Sequence, residues 1–238
     1  MSTNAAAGVA RPARAGGSGG SSRWVPFALV ALVLVPALAG SLRLVELAGG
    51  PLLLAANASM TASPLPVVVH ILSAVAYAVL GAFQFSTALR RRRPGWHRSA
   101  GRALVVLGLA VAFSALWMTL FYPRQPGTGV LAYLFRLAFG SGMAASILLG
   151  FHPIRRGDVP RHRAWMTRAY ALALGAGTQV VTKGVGPALF GTTTLVMDLS
   201  LGAGWFINLA VAEHLVRRRP GRDARRRPLG ATAKVGSP

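Results

Sequence analysis

The groups with which this 238-residue chain can do chemistry are five histidines, five acids and 26 lysines and arginines. Two short segments concentrate them. One reads Arg93-Pro94-Gly95-Trp96-His97-Arg98, followed by Arg102-Ala103, and the other reads Pro160-Arg161-His162-Arg163, followed by Arg168-Ala169. Each places Pro, then His-Arg, then a further Arg. Proline suits the first position of a helix, where its missing N–H costs nothing. His97 and His162 therefore fall in or beside the first turn of a helix. Two imidazoles offered from two helix ends are a ligand set for one b-type haem. Helix N-termini and adjacent arginines keep a ring nitrogen free for iron. Arg98, Arg102, Arg163 and Arg168 are placed to meet haem propionates by bidentate contacts. The competing reading is structural: each histidine hydrogen-bonds a neighbouring loop carbonyl or Glu213 and locks its hairpin.

A second set of polar residues lies inside apolar stretches, where ionisable groups are costly and by default face the interior of a bundle. His70, Tyr77 and Gln84 recur every seven residues, with Gly81 on the same face. At 3.6 residues per turn such a stripe drifts only about 20° per step. Arg168, Gln179 and Thr182 share one face of a later stretch, and Asp198 shares a face with Trp205, beside Asn208. By depth these residues form two layers. His70, Arg136 and Asp198 lie roughly 6–10 Å inside one set of helix ends, at 1.5 Å per residue. His97, His152, His162, Arg168, Glu213 and His214 lie at the opposite boundary. The first layer reads either as ion pairing, Asp198 with Arg136 or Lys183, or as a polar pocket open to the outside. The chain has no cysteine, hence no thiolate metal site or Cys nucleophile, and its few acids make poor Mg²⁺ or Ca²⁺ ligands. A P-loop, a dinucleotide fingerprint, a His-Glu-x-x-His and a nucleophile elbow are all missing. No catalytic residue or metal site is assigned, and whether the chain is an enzyme stays open.

The elements that position these groups follow from composition. Apolar residues make up 53% of the chain and charged residues 13%, against roughly 25% charged in a soluble domain. Mean hydropathy is +0.49. A bilayer core takes about 20 apolar residues per helix, and six stretches qualify: 24–46, 65–89, 102–122, 129–152, 164–185 and 194–216. Lipid leaves backbone groups to be satisfied within each segment, so these runs read as helices. The expected fold is an all-α, polytopic transmembrane bundle of six spans. Spans two to five form a four-helix core, with the two His-Arg hairpins as a possible repeat. Small residues such as Ala74/Ala78 and Ala171/Gly175 permit close helix approach. Residues 1–23 and 217–238 are expected to be disordered tails, the second of them basic. An Ala37-Leu38-Ala39 run resembles a cleavage site, but the apolar segment continues past it and the first helix is expected to be kept. The net charge of +21 sits in blocks at the two tails and after spans two and four. That bias puts both termini in the cytoplasm of a plasma-membrane protein. Anionic lipids are the expected partners of the basic loops and tail, and no nucleic acid is expected.

At these residues the chain resembles the bacterial multi-pass membrane family called domain of unknown function 2306. The resemblance rests on His70, the Gly81…Gln84 segment, and the Arg block with His97-Arg98…Gly101-Arg102. It continues through His162-Arg163-Ala164-Trp165-Met166…Arg168-Ala169-Tyr170 and Trp205…Asn208-Leu209-Ala210…Ala212-Glu213. It implies a six- or seven-helix membrane protein and brings no settled activity. A more distant likeness, to two-haem cytochromes of the b561 type, lies in histidines on a four-helix core. Those proteins use four histidines in two pairs, whereas only His70 lies on the outer side here. Three functions therefore stand: a structural or accessory membrane protein, a b-type haem electron-transfer module using His97 and His162, and a carrier with an outward polar pocket.

Overall fold

The computed structural model describes residues 21–124 and 126–218. Most of the two expected tails lies outside those residues. The described chain is helical throughout, without a strand: α1 (Ser21–Leu47), α2 (Ala58–Ala62), α3 (Pro64–Gln84), α4 (Thr87–Arg92), α5 (Pro94–Phe121), α6 (Val130–Arg155), α7 (Val159–Ala173), α8 (Gly175–Phe190) and α9 (Thr194–Arg217). Five of these, α1, α3, α5, α6 and α9, are long and apolar enough to cross a membrane. Their outer faces carry exposed Leu, Val, Ile and Phe side chains, as lipid contact requires. The chain is a polytopic helical bundle.

Three boundaries differ from expectation. The second span stops at Gln84, because Phe85 N–H turns back to the Ala82 carbonyl and the Ser86 hydroxyl caps a new short helix, α4. The third begins at Pro94, two turns before the expected 102, with proline in the first turn. The fifth is interrupted: α7 and α8 meet at Leu174, and neither half alone has the length of a span. Neighbours in space run α1, α3, α5, α6, α7, α9, α8 and back to α1, with α3 also touching α7. The centre is built from Tyr77, Ala82, Ala112, Ile147, Ala169 and Tyr170, all buried. Glycines let these large side chains in. A Cβ on Gly81 would strike the Tyr170 ring, and one on Gly108 would strike Tyr77 and Ile147. Ala78 and Ala171 are buried at helix contacts, as their small size suggested.

The interruption at Leu174 has a visible cause. Leu174 N–H still reaches Tyr170 O at 3.0 Å, and the ladder resumes with Gly177 and Thr178 donating to Leu174 O. Between them the Ala171 carbonyl accepts from Asn208 Nδ2 of α9 at 3.1 Å, while Asn208 Oδ1 accepts from Thr178 Oγ1 at 2.7 Å. A side chain inserted into the i→i−4 ladder is a recognised source of a helix break. Asn208→Ala is expected to cost about 1–2 kcal/mol of stability in detergent, since interhelical bonds in membranes contribute about 0.6–1.7 kcal/mol each. Thr178→Ala, which removes one of the two bonds, should cost less. Equal melting temperatures for Asn208→Ala and wild type would show that the asparagine does not hold the break.

Candidate functional site

The expected polar layers both exist as places in the bundle, one at each end. At the Arg-rich end, His97 is the fourth residue of α5 and His162 the fourth of α7, so the two hairpins present their histidines at equivalent positions. The His162 Nδ1–H donates to the Gly150 carbonyl of α6 at 2.8 Å. Gly150 allows this approach because Met166 and Trp165 occupy the space a side chain would need. His97 is half-buried and within electrostatic range of His162 and of Arg90 on α4. The arginines next to the histidines turn away, leaving Arg98, Arg102 and Arg163 exposed.

Arg168 behaves differently, because it comes one and a half turns deeper on α7. Its guanidinium lies 4.7 Å from the centre of the Trp165 ring and grips Glu213 of α9 through Nε and Nη2. Glu213 is also 3.7 Å from Arg217. The pair ties α7 to α9. Asp158, the other acid at this end among the described residues, accepts from Arg161 N–H at 3.0 Å and caps α7. The stripe on α3 faces inward as expected. Tyr77 and Gly81 are buried, and the Gln84 Nε2 is buried without a hydrogen-bond partner among the described residues.

At the opposite end His70 Nδ1 lies 3.2 Å from Val111 O and 3.1 Å from Ser114 Oγ, both on α5. Ser114 also lines a shallow apolar groove of about 440 Å³ with Leu65, Pro66, Val69, Phe113 and Trp117. Asp198 is buried, but its direct partner is a backbone amide: Gly129 N–H donates to Oδ1 at 2.9 Å. Gly129 is the N-cap of α6, so a carboxylate from α9 closes the start of α6 and meets the positive end of its dipole. Half-buried Arg136 is near enough to be attracted to that charge. The ion pairs formed among the described residues are Arg43–Glu46, Arg168–Glu213 and Arg217–Glu213. Neither Arg136 nor the exposed Lys183 is in one.

One arrangement at this end was missed by sequence reasoning. Glu46 lies 2.7 Å from Arg43, and its Oε1 accepts from Leu53 and Leu54 N–H at 2.7 and 2.6 Å. Arg43 in turn donates to Ala55 O. Together they strap the loop after α1 back onto its own helix. The i,i+3 spacing of Arg43 and Glu46 was the available signal. Among the described residues no three His, Asp or Glu side chains gather as a metal site would need.

No curated protein and no solved structure matches the chain. A family model matches residues 67–216, from the first turn of α3 to the last turn of α9. That stretch takes in both His-Arg hairpins, the interrupted helix and Glu213, and leaves out α1 with its strapped loop. The chain belongs to the family described as Predicted membrane protein (DUF2306).

Proposed function

We propose that this protein is a structural or accessory membrane protein, a helical scaffold whose polar side chains bind its own helices together. The observation that carries this reading is the destination of those side chains. His70 goes to α5, His162 to α6, Tyr170 to the Ala78 carbonyl of α3, and Asp198 to the start of α6. Gln179 goes to the Leu201 carbonyl, Asn208 to α7 and α8, and Arg168 to Glu213. Groups that act on a substrate converge on a shared space, whereas these converge on neighbouring helices. The positive-inside tendency supports placing the Arg-rich end in the cytoplasm.

His162 tests the reading. Losing a buried hydrogen bond costs about 1–3 kcal/mol, so His162→Ala should destabilise the protein by that amount. His162→Gln, which keeps a donor for the Gly150 carbonyl, should recover part of it. An iron ligand would behave otherwise, because glutamine cannot replace it. Equal losses for Ala and Gln would count against the scaffold reading at this position.

A further inference from the structure

The connection after α1 is built the wrong way round for water. Residues 51–56 read Pro-Leu-Leu-Leu-Ala-Ala. All but the half-buried Leu54 are exposed, Leu52 at 77% and Leu53 at 59%. The polar groups of the same stretch turn inward. Ala48, Gly49 and Gly50 N–H donate to the Leu44, Glu46 and Val45 carbonyls of α1, and Pro51 has no N–H to satisfy. Leu53 and Leu54 N–H both donate to Glu46 Oε1, and the Ala55 carbonyl accepts from Arg43 at 2.8 Å. Of the amides in residues 48–54, only that of Leu52 has no acceptor among the described residues. The Glu46 side chain that gathers these bonds is itself only 2% exposed. Exposed apolar side chains over a backbone whose donors are met internally suit lipid, where water is absent to satisfy them.

We propose that residues 51–56 form a membrane anchor at the end of the bundle away from the arginines. Their backbone lies in the bilayer interface and the Leu52 and Leu53 side chains enter the acyl chains, held there by Glu46 and Arg43. The course of the chain supports this depth. Arg43 lies four residues before the end of α1, a helix able to cross the membrane. The segment that returns to it therefore turns back toward the membrane, by about 6 Å at 1.5 Å per residue. The hydrocarbon core excludes irregular backbone, which leaves the interface for the main chain and the lipid below it for the leucines. The other two connections at this end have no such run. Residues 122–129 read Tyr-Pro-Arg-Gln-Pro-Gly-Thr-Gly and residues 191–193 read Gly-Thr-Thr, as water-facing turns should.

The chain has no cysteine, so a single introduced cysteine carries a nitroxide spin label unambiguously. The full chain with Leu52→Cys or Leu53→Cys is labelled and reconstituted into vesicles of phosphatidylcholine and phosphatidylglycerol. Collisions of the label with oxygen, which concentrates in lipid, are compared with those of a water-soluble nickel chelate. Thr192→Cys, in the exposed connection after α8, is the water-facing control. The expected oxygen-to-nickel ratio is several-fold higher at 52 and 53 than at 192. Glu46→Ala added to Leu52→Cys unties the strap and should bring the ratio down toward that at 192. Equal ratios at 52, 53 and 192 would overturn the anchor. Low access to both reagents, the sign of leucines packed against a second copy of the chain, would overturn it equally. A label at 52 that keeps its ratio after Glu46→Ala would show that Glu46 does not hold the segment, against the proposal.

Discussion

Gly177→Ala is expected to lower the stability of the purified protein by about 1–3 kcal/mol, the cost of overpacking a tight contact. Elsewhere in a helix the same change should help, because alanine is the better helix former by about 1 kcal/mol. The reason lies in α1. Pro36 has no N–H, so the carbonyl four residues earlier, Leu32 O, lacks its usual helical donor. Gly177 of α8 packs directly on that carbonyl. A Cβ there would collide with the Leu32 backbone carbonyl as well as with its side chain, so turning the side chain aside would not relieve the clash. The methyl group can be accommodated only by moving α1 away from α8. Gly184, also on α8, has nothing within 4 Å of its would-be Cβ and serves as control. Thermal unfolding of the two variants in one detergent decides the matter. If Gly177→Ala is tolerated as well as Gly184→Ala, α1 does not dock on α8 as described.

Asp198 separates two accounts of a buried carboxylate. If its task is to accept from Gly129 N–H, Asp198→Asn keeps an acceptor of the same shape and should retain most of the stability. Asp198→Leu would leave the half-buried Gly129 amide unpaired, a loss of about 1–3 kcal/mol. If attraction to Arg136 dominates, Asn should be nearly as damaging as Leu, and Arg136→Met should restore part of the Asp198→Leu loss. The cap account predicts a wide gap between Asn and Leu. A narrow gap, with rescue at Arg136, would favour the ion pair instead.

These two positions also mark where sequence reasoning reached its limit. Five of the six spans were legible because an apolar run of the right length has one stable form in lipid. The inward stripe of His70, Tyr77 and Gln84 was legible because a seven-residue repeat holds one helix face. The equivalent placement of His97 and His162 followed from proline at a helix start. What escaped notice depends on partners that residue types do not encode. The partner of Asp198 is a backbone amide, and every residue but proline carries one. The break at Leu174 follows an Ala-Leu run with no proline in it. Its cause sits on another helix, at Asn208. The Gly177 contact requires knowing that α1 and α8 are neighbours. Arg98 and Arg163 looked like companions of the histidines, yet adjacent residues on a helix point about 100° apart, and both are exposed.

The most direct test of the scaffold account is the absorption spectrum of the folded protein, purified in detergent from haem-replete cells. If the histidines hold helices, the preparation is colourless, with no Soret band in wild type, His97→Ala or His162→Ala. A Soret band present in wild type and in His70→Ala, and abolished by His97→Ala and by His162→Ala separately, would contradict the account and make the two hairpins a haem site.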